Sequence, residues 1–285
     1  MMNDKKVRYM LPCFFMVPEI IYFAMKQLLK VDQLPDDEAN IILDIIKIVS
    51  STTLLIIMAL IFKKDIIKSV SAPKENKYTQ FIFLGFSLLL VTSFTLHSVY
   101  YLISIVNPDY VIGIFTSDEK TLVDMSHPDV ILDYSLYFLS LVVLAPIVEE
   151  IFFRGFLLER LSLKYGFYFS IAFGSLLFSI LHTDILGAFI FSIFLCVVKV
   201  HTKSLYGPIL IHASHNLFLF ITVLSYELFS PSYEEDLDSS SILDYFYDES
   251  YYMILIGMLG FIAPIIYLRK IKNKDTLFSD LKTVS

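Results

Sequence analysis

Between Tyr134 and Leu158 the only charged residues are Glu149, Glu150 and Arg154, set in an otherwise apolar stretch. A charge at the centre of a bilayer costs about 3 kcal/mol on insertion scales, and residues that bear it face an internal cavity or a partner. Glu150 and Arg154 are spaced i,i+4, so on a helix they share a face and can pair. Glu149 is turned from Glu150 by about 100° and points elsewhere. Paired carbon-chain carboxylates with different surroundings can divide their work. Glu150 with Arg154 can brace a site while Glu149 takes a proton from water as a general base. The plain alternative is one structural charge cluster.

Two further runs carry polar groups into apolar surroundings. Phe178 to His182 reads FSILH, and Leu210 to Asn216 reads LIHASHN. His212 and Asn216 are spaced i,i+4 and share a helix face. A histidine and an amide one turn apart can both donate to one developing oxyanion, or can simply join neighbouring helices. His215 lies beside that stripe with no role assigned. Each run taken singly is a weak signal. Together they place Glu, His, His and Asn on three successive apolar segments, a set able to activate water and stabilise a tetrahedral intermediate.

The elements that must position these residues are membrane helices. The chain is 56% hydrophobic and 18% charged, with a mean hydropathy of +0.68, against about 25% charged for a soluble domain. The expected fold is all-α, a polytopic bundle. Eight apolar segments of spanning character run roughly over 9–29, 41–62, 81–106, 131–158, 167–183, 185–200, 205–224 and 251–268. The fifth and sixth are short and read as a tight helical hairpin. Basic loops (Lys63, Lys64, Lys68, Lys74, Lys77; Arg160, Lys164) alternate with acidic ones (Asp32, Asp36, Asp37, Glu38; Glu234, Glu235, Asp236, Asp238). The positive-inside rule then sets both termini in the cytoplasm. Four regions follow: N-terminal helices over 1–130, a core over 131–224, an acidic exterior loop over 225–250, and a last helix with a basic tail over 251–285. The segment after MMNDKKVRY reads as a retained first span, since no small-residue cleavage site follows it. No basic patch with interleaved aromatics is present, which sets nucleic acid aside as a partner. Cys13 and Cys196 both lie in apolar runs and do not suggest a structural disulfide.

Other polar residues in the spans read as structural: Glu19, Asp44, Lys47, His97 and Asp133. Asp44 and Lys47, at i,i+3, are expected to pair, and Lys199 to snorkel towards the cytoplasm. A straight fourth span sets Glu149 about 27 Å from its outer end, and His212 lies about 10 Å from the inner end of its own. His182 then falls nearer the outer half. Pro146 is expected to kink the fourth helix and shift the glutamates.

EEIFFR (Glu149, Glu150, Arg154), FSILH (Phe178, His182) and HASHN (His212, Asn216) resemble, in that order, the motifs EExxxR, FxxxH and HxxxN. In this the chain resembles the CPBP family of intramembrane proteases, also called the Abi or CAAX-protease-like family. The family includes the type II prenyl-protein proteases and bacterial relatives linked to bacteriocin self-immunity and peptide-pheromone maturation. The resemblance covers about a third of the chain. It implies that Glu149 polarises the attacking water with His182 assisting, that His212 and Asn216 stabilise the oxyanion, and that Glu150, Arg154 and Phe178 support them. The family is often called metalloprotease. Zinc held by Glu149, His182 and His212 with an open position for water and metal-free water activation both stay open. The absence of an HExxH spacing leans slightly to the metal-free form.

The reading is therefore a multi-pass enzyme of the cell membrane, expected to be a bacterial plasma membrane. Its expected substrate is a hydrophobic peptide or a membrane-protein tail, entering laterally between spans from the lipid bilayer. Two rivals come from other classes. One is a non-catalytic bacteriocin-immunity or scaffold protein. The other is a proton-coupled transporter using the glutamates and histidines as a relay, against which the lack of internal repeats counts.

Overall fold

Apolar residues recurring at three- and four-residue steps give the chain its helices, and small residues decide which of them come close. In the computed structural model, residues 4–31, 36–69, 78–117, 130–229 and 239–272 are described. Every regular element among them is helical. In chain order these are α1 (Asp4–Leu28), α2 (Asp36–Ser69), α3 (Tyr78–Val106), α4 (Pro108–Ser117) and a long rod α5 (Val130–Tyr165). Then come α6 (Phe167–Ser179), α7 (Ile185–Thr202), α8 (Tyr206–Phe229), α9 (Ser239–Leu259) and α10 (Ile262–Lys272). Six helical stretches are long and apolar enough to cross a membrane: within α2, α3, α5, α7 and α8, and the run from Phe246 to Ile271. α6 is a shorter apolar helix, and α1 is helical over the first expected span. The eight apolar segments read from the sequence fall mostly on helices, the last of them divided by a turn at Gly260 and Phe261.

α3 is the central strut. Its buried Phe81, Leu84, Leu88, Val91 and Thr95 follow alternating three- and four-residue steps, one apolar stripe of a packed helix. α7, α8 and α9 lean on it. Gly85 lets α8 approach at backbone distance: a Cβ there would stand 2.6 Å from Ser214 Cβ and 2.9 Å from His215 N. That contact sets the height of the His212–Asn216 turn. Large side chains such as Phe23, Leu60, Phe83, Tyr168 and Ile266 are exposed, while serines, Glu150 and Arg154 are buried. That polarity suits a bundle whose outer surface meets lipid, where backbone groups are satisfied within helices.

The polar stretch expected as a loop over 225–250 is helical at both ends. α8 runs to Phe229 and α9 starts at Ser239; the acidic residues Glu234 to Asp238 lie outside the described residues. Tertiary packing overrides composition here. Phe246 and Ser250 are buried, Tyr247 meets Tyr101 edge-on, and Ser250 Oγ lies 3.3 Å from His97 Nδ1. Lys199 is also buried, not extended into solvent; its Nζ reaches towards Glu159 Oε1 at 3.8 Å. Cys196 is a buried free thiol. The side chain of Asp44 lies outside the described residues, as do the lysines of the second loop and the tail beyond Lys272.

Candidate active site

α5 runs on through Pro146, and two stretches, Leu139–Leu144 and Ile151–Leu157, are wound as π-helix on either side of Ala145–Glu150. The N–H of Ala145 donates to Ser140 O and that of Leu158 to Phe153 O, five residues back in each case. Pro146 cannot donate a backbone hydrogen bond, so the rod accommodates it by widening its turns. π-turns are rare and often fall at functional sites. Here they frame Glu149 and Glu150.

The two glutamates diverge. Glu150 and Arg154 are both 0% exposed and His212 is 3% exposed. Glu150 Oε1 accepts from Arg154 Nη1 at 2.8 Å and from His212 Nδ1 at 2.9 Å. Arg154 Nη2 goes on to Ser192 Oγ at 2.9 Å, and Ser192 Oγ donates to Ser175 Oγ at 3.0 Å. One charge-assisted network therefore ties α5 to α6, α7 and α8. Glu149 takes no part in it. It is half-buried, and its Oε2 is buried with no hydrogen-bond partner among the described residues.

Phe178 is the point of convergence. The Arg154 guanidinium lies 4.6 Å from its ring centre, a cation–π contact. The His182 ring stacks on it at 4.4 Å, and the His212 ring stands at 6.0 Å, edge to face. His182 is not on a helix. It follows the end of α6, in the turn before α7, and its Nδ1 donates to Phe178 O at 2.8 Å. Because α6 is short, its end turns back at the level of the glutamates. His182 is thereby brought to the same ring as His212, not left nearer the outer half. With Nδ1 engaged on both histidines, Nε2 is the ring nitrogen each can offer a substrate.

Asp184 holds that turn. Its Oδ1 accepts from Gly187 N at 2.9 Å, capping α7, and its Oδ2 accepts from Thr95 Oγ1 at 2.9 Å. Burial pushes the Asp184 carboxyl above the usual carboxylate range, against the opposing pull of Gly187 N–H, the Thr95 hydroxyl and His182. On α8, Asn216 Nδ2 donates to Leu141 O at 2.9 Å. His212 and Asn216 thus clamp α8 to α5 on both sides of Pro146.

Residues 132–218 match the family model described as Type II CAAX prenyl endopeptidase Rce1-like. Over that stretch the chain is similar to the CAAX-protease family. All seven residues singled out from the sequence fall inside it: Glu149, Glu150, Arg154, Phe178, His182, His212 and Asn216. The apolar helices and this similarity support a multi-pass membrane protein, and the similarity points to a protease. No curated protein and no solved structure matches the chain.

Sequence reasoning missed Ser192 and Ser175, which steady Arg154, and Thr95 and Asp184, which steady the His182 turn. Their signal was present as small polar residues within apolar helices, a pattern too common to single them out. Among the described residues no group of three or more His, Cys, Asp or Glu side chains is placed to hold a metal ion.

Proposed function

We propose that the protein is an intramembrane endopeptidase that hydrolyses a peptide bond in a hydrophobic or membrane-associated peptide. Glu149 takes a proton from water, with His182 Nε2 assisting. The resulting hydroxide attacks the scissile carbonyl, and Asn216 and His212 stabilise the oxyanion, His212 through an Nε2–H that it must carry in addition to the Nδ1–H held by Glu150. The proton on Glu149 or His182 passes to the leaving amine. Glu150 and Arg154 hold His212 in place. The observation that carries this reading is the contrast between two adjacent glutamates: Oε1 of Glu150 is tied to Arg154 and His212, while Glu149 has no such ion pair and keeps a buried Oε2 unbonded; Oε2 of Glu150 is buried without a partner too. No step is routed through a metal.

Lateral access is supported by an open apolar groove of about 420 Å³ between α5 and α8, with Tyr134, Phe138, Phe220 and Leu224 in its walls. Phe138 and Phe220 lie one turn from Leu141 and Asn216, so the groove leads to the polar turn. Eight spans with both termini cytoplasmic complete the proposed arrangement. Membrane and secreted peptides from cells carrying wild-type protein or Glu149→Gln, compared by mass spectrometry of new termini, test the reading. A precursor that stays uncut only in the variant names the substrate. Identical termini in both would refute the mechanism and favour an immunity or scaffold role.

A further inference from the structure

The π-turn ahead of Pro146 leaves one carbonyl without its helical donor. Ala145 N–H donates five residues back, to Ser140 O. The next acceptor in that ladder is Leu141 O, and the donor facing it would be the N–H that Pro146 lacks. A bare carbonyl in apolar surroundings is unfavourable. Asn216, on another helix, answers it with Nδ2 at 2.9 Å.

That bond dictates the rest. A carbonyl only accepts, so the NH2 end of the Asn216 amide faces Leu141 and Oδ1 faces away. Oδ1 lies 3.0 Å from His215 Nδ1, which must therefore carry the hydrogen. His215 Nε2 is then an acceptor, and Thr92 Oγ1 lies 3.1 Å from it on α3. Donors run in one direction from His215 to Asn216 to Leu141; with a neutral ring the Thr92 hydroxyl joins them by turning to Nε2 from Leu89 O, which lies 3.0 Å away. Reversing the amide would break the contact with Leu141 whatever the ring carries.

We propose that His215 is a positioning residue that holds the Asn216 amide the right way round, so that Asn216 supplies the donor Pro146 withholds. One N–H of Asn216 is spent on Leu141. The second is the one left for the oxyanion of the proposed hydrolysis, and that last step alone rests on the protease reading. A reversed amide would set Oδ1 against the Leu141 carbonyl and against the oxyanion, repulsive at both.

The test uses the purified chain in lipid nanodiscs, labelled with 15N-asparagine. Asn216→Ala lowers the thermal unfolding midpoint by about 2–6 °C. In a Pro146→Ala background, where residue 146 offers its own N–H to Leu141, the same substitution costs less than half as much. Additive losses would overturn the capping. His215→Asn, whose amide nitrogen stands in for Nδ1, keeps the two separated amide-proton signals of Asn216. His215→Gln, whose nitrogen stands in for Nε2, brings them together. Identical Asn216 signals in the two variants would overturn the role of His215. Failure of the protease reading appears elsewhere, as unchanged peptide termini with Glu149→Gln, and leaves both readouts intact.

Discussion

Glu150 and Glu149 are neighbours in sequence, yet they sit in opposite electrostatic surroundings. Glu150 meets a guanidinium and an imidazole N–H, and its partners continue through Ser192 to Ser175. Glu149 meets neither group; Oε2 of each carboxylate is buried without a partner among the described residues. A buried charge whose hydrogen bonds are made holds structure together, because removing any partner strands the others. A buried acceptor left open is costly to the fold and available to a ligand. The protein keeps both kinds one residue apart, and the helical rotation between them separates bracing from chemistry.

The largest effect is expected at the open glutamate. Glu149→Gln keeps the shape, removes the base and lowers cleavage at least about 100-fold. Its unfolding midpoint stays equal to wild type or rises. A variant that loses stability instead would erase the contrast between the two carboxylates. Arg154→Met tests the other side: it strands Glu150 without its cation, and equilibrium unfolding is expected to show a loss of about 3–5 kcal/mol. Normal stability in that variant would mean that the brace is not a brace. Ser192→Ala sharpens the comparison further along the network. It removes one neutral partner of Arg154 and is expected to cost about 1 kcal/mol in the same measurement, with cleavage reduced only in proportion to folded protein. The smallest effect is expected from a strong zinc chelator, which leaves cleavage unchanged when Glu149 and His182 activate water by themselves. Activity lost on chelation and restored by zinc would replace that mechanism.

Much of the site was legible because its signals are local. Charges in an apolar run, a histidine four residues after Phe178, and His212 four residues before Asn216 follow from spacing alone. The family match covers the same residues. The assignment of Glu150 to the brace was also legible, since its i,i+4 spacing to Arg154 predicts the 2.8 Å pair. The depth of His182 was not legible. A straight-helix reading set it apart from His212, whereas the short α6 ends at Ser179 and turns His182 back onto Phe178. What surrounds Pro146 was not legible for a related reason. A proline in a helix signals a broken ladder, but what serves the freed carbonyl is decided between helices, and Asn216 lies 75 residues away. The helical start of α9 was likewise hidden, because the polar run at Ser239 gains its partners from α3.

By itself the sequence determined that this chain is helical and membrane-embedded, and it determined which residue types could do chemistry. Hydrophobic length and helical period are properties of neighbouring residues, so they survive without a fold. Tertiary structure alone decided which glutamate is paired with Arg154 and His212 and which is not, how His182 and His212 meet at one ring, and which group answers the carbonyl at Pro146. Each of these depends on hydrogen bonds or ring contacts between helices distant in sequence, and Gly85 sets the distance at which one of those helix pairs meets.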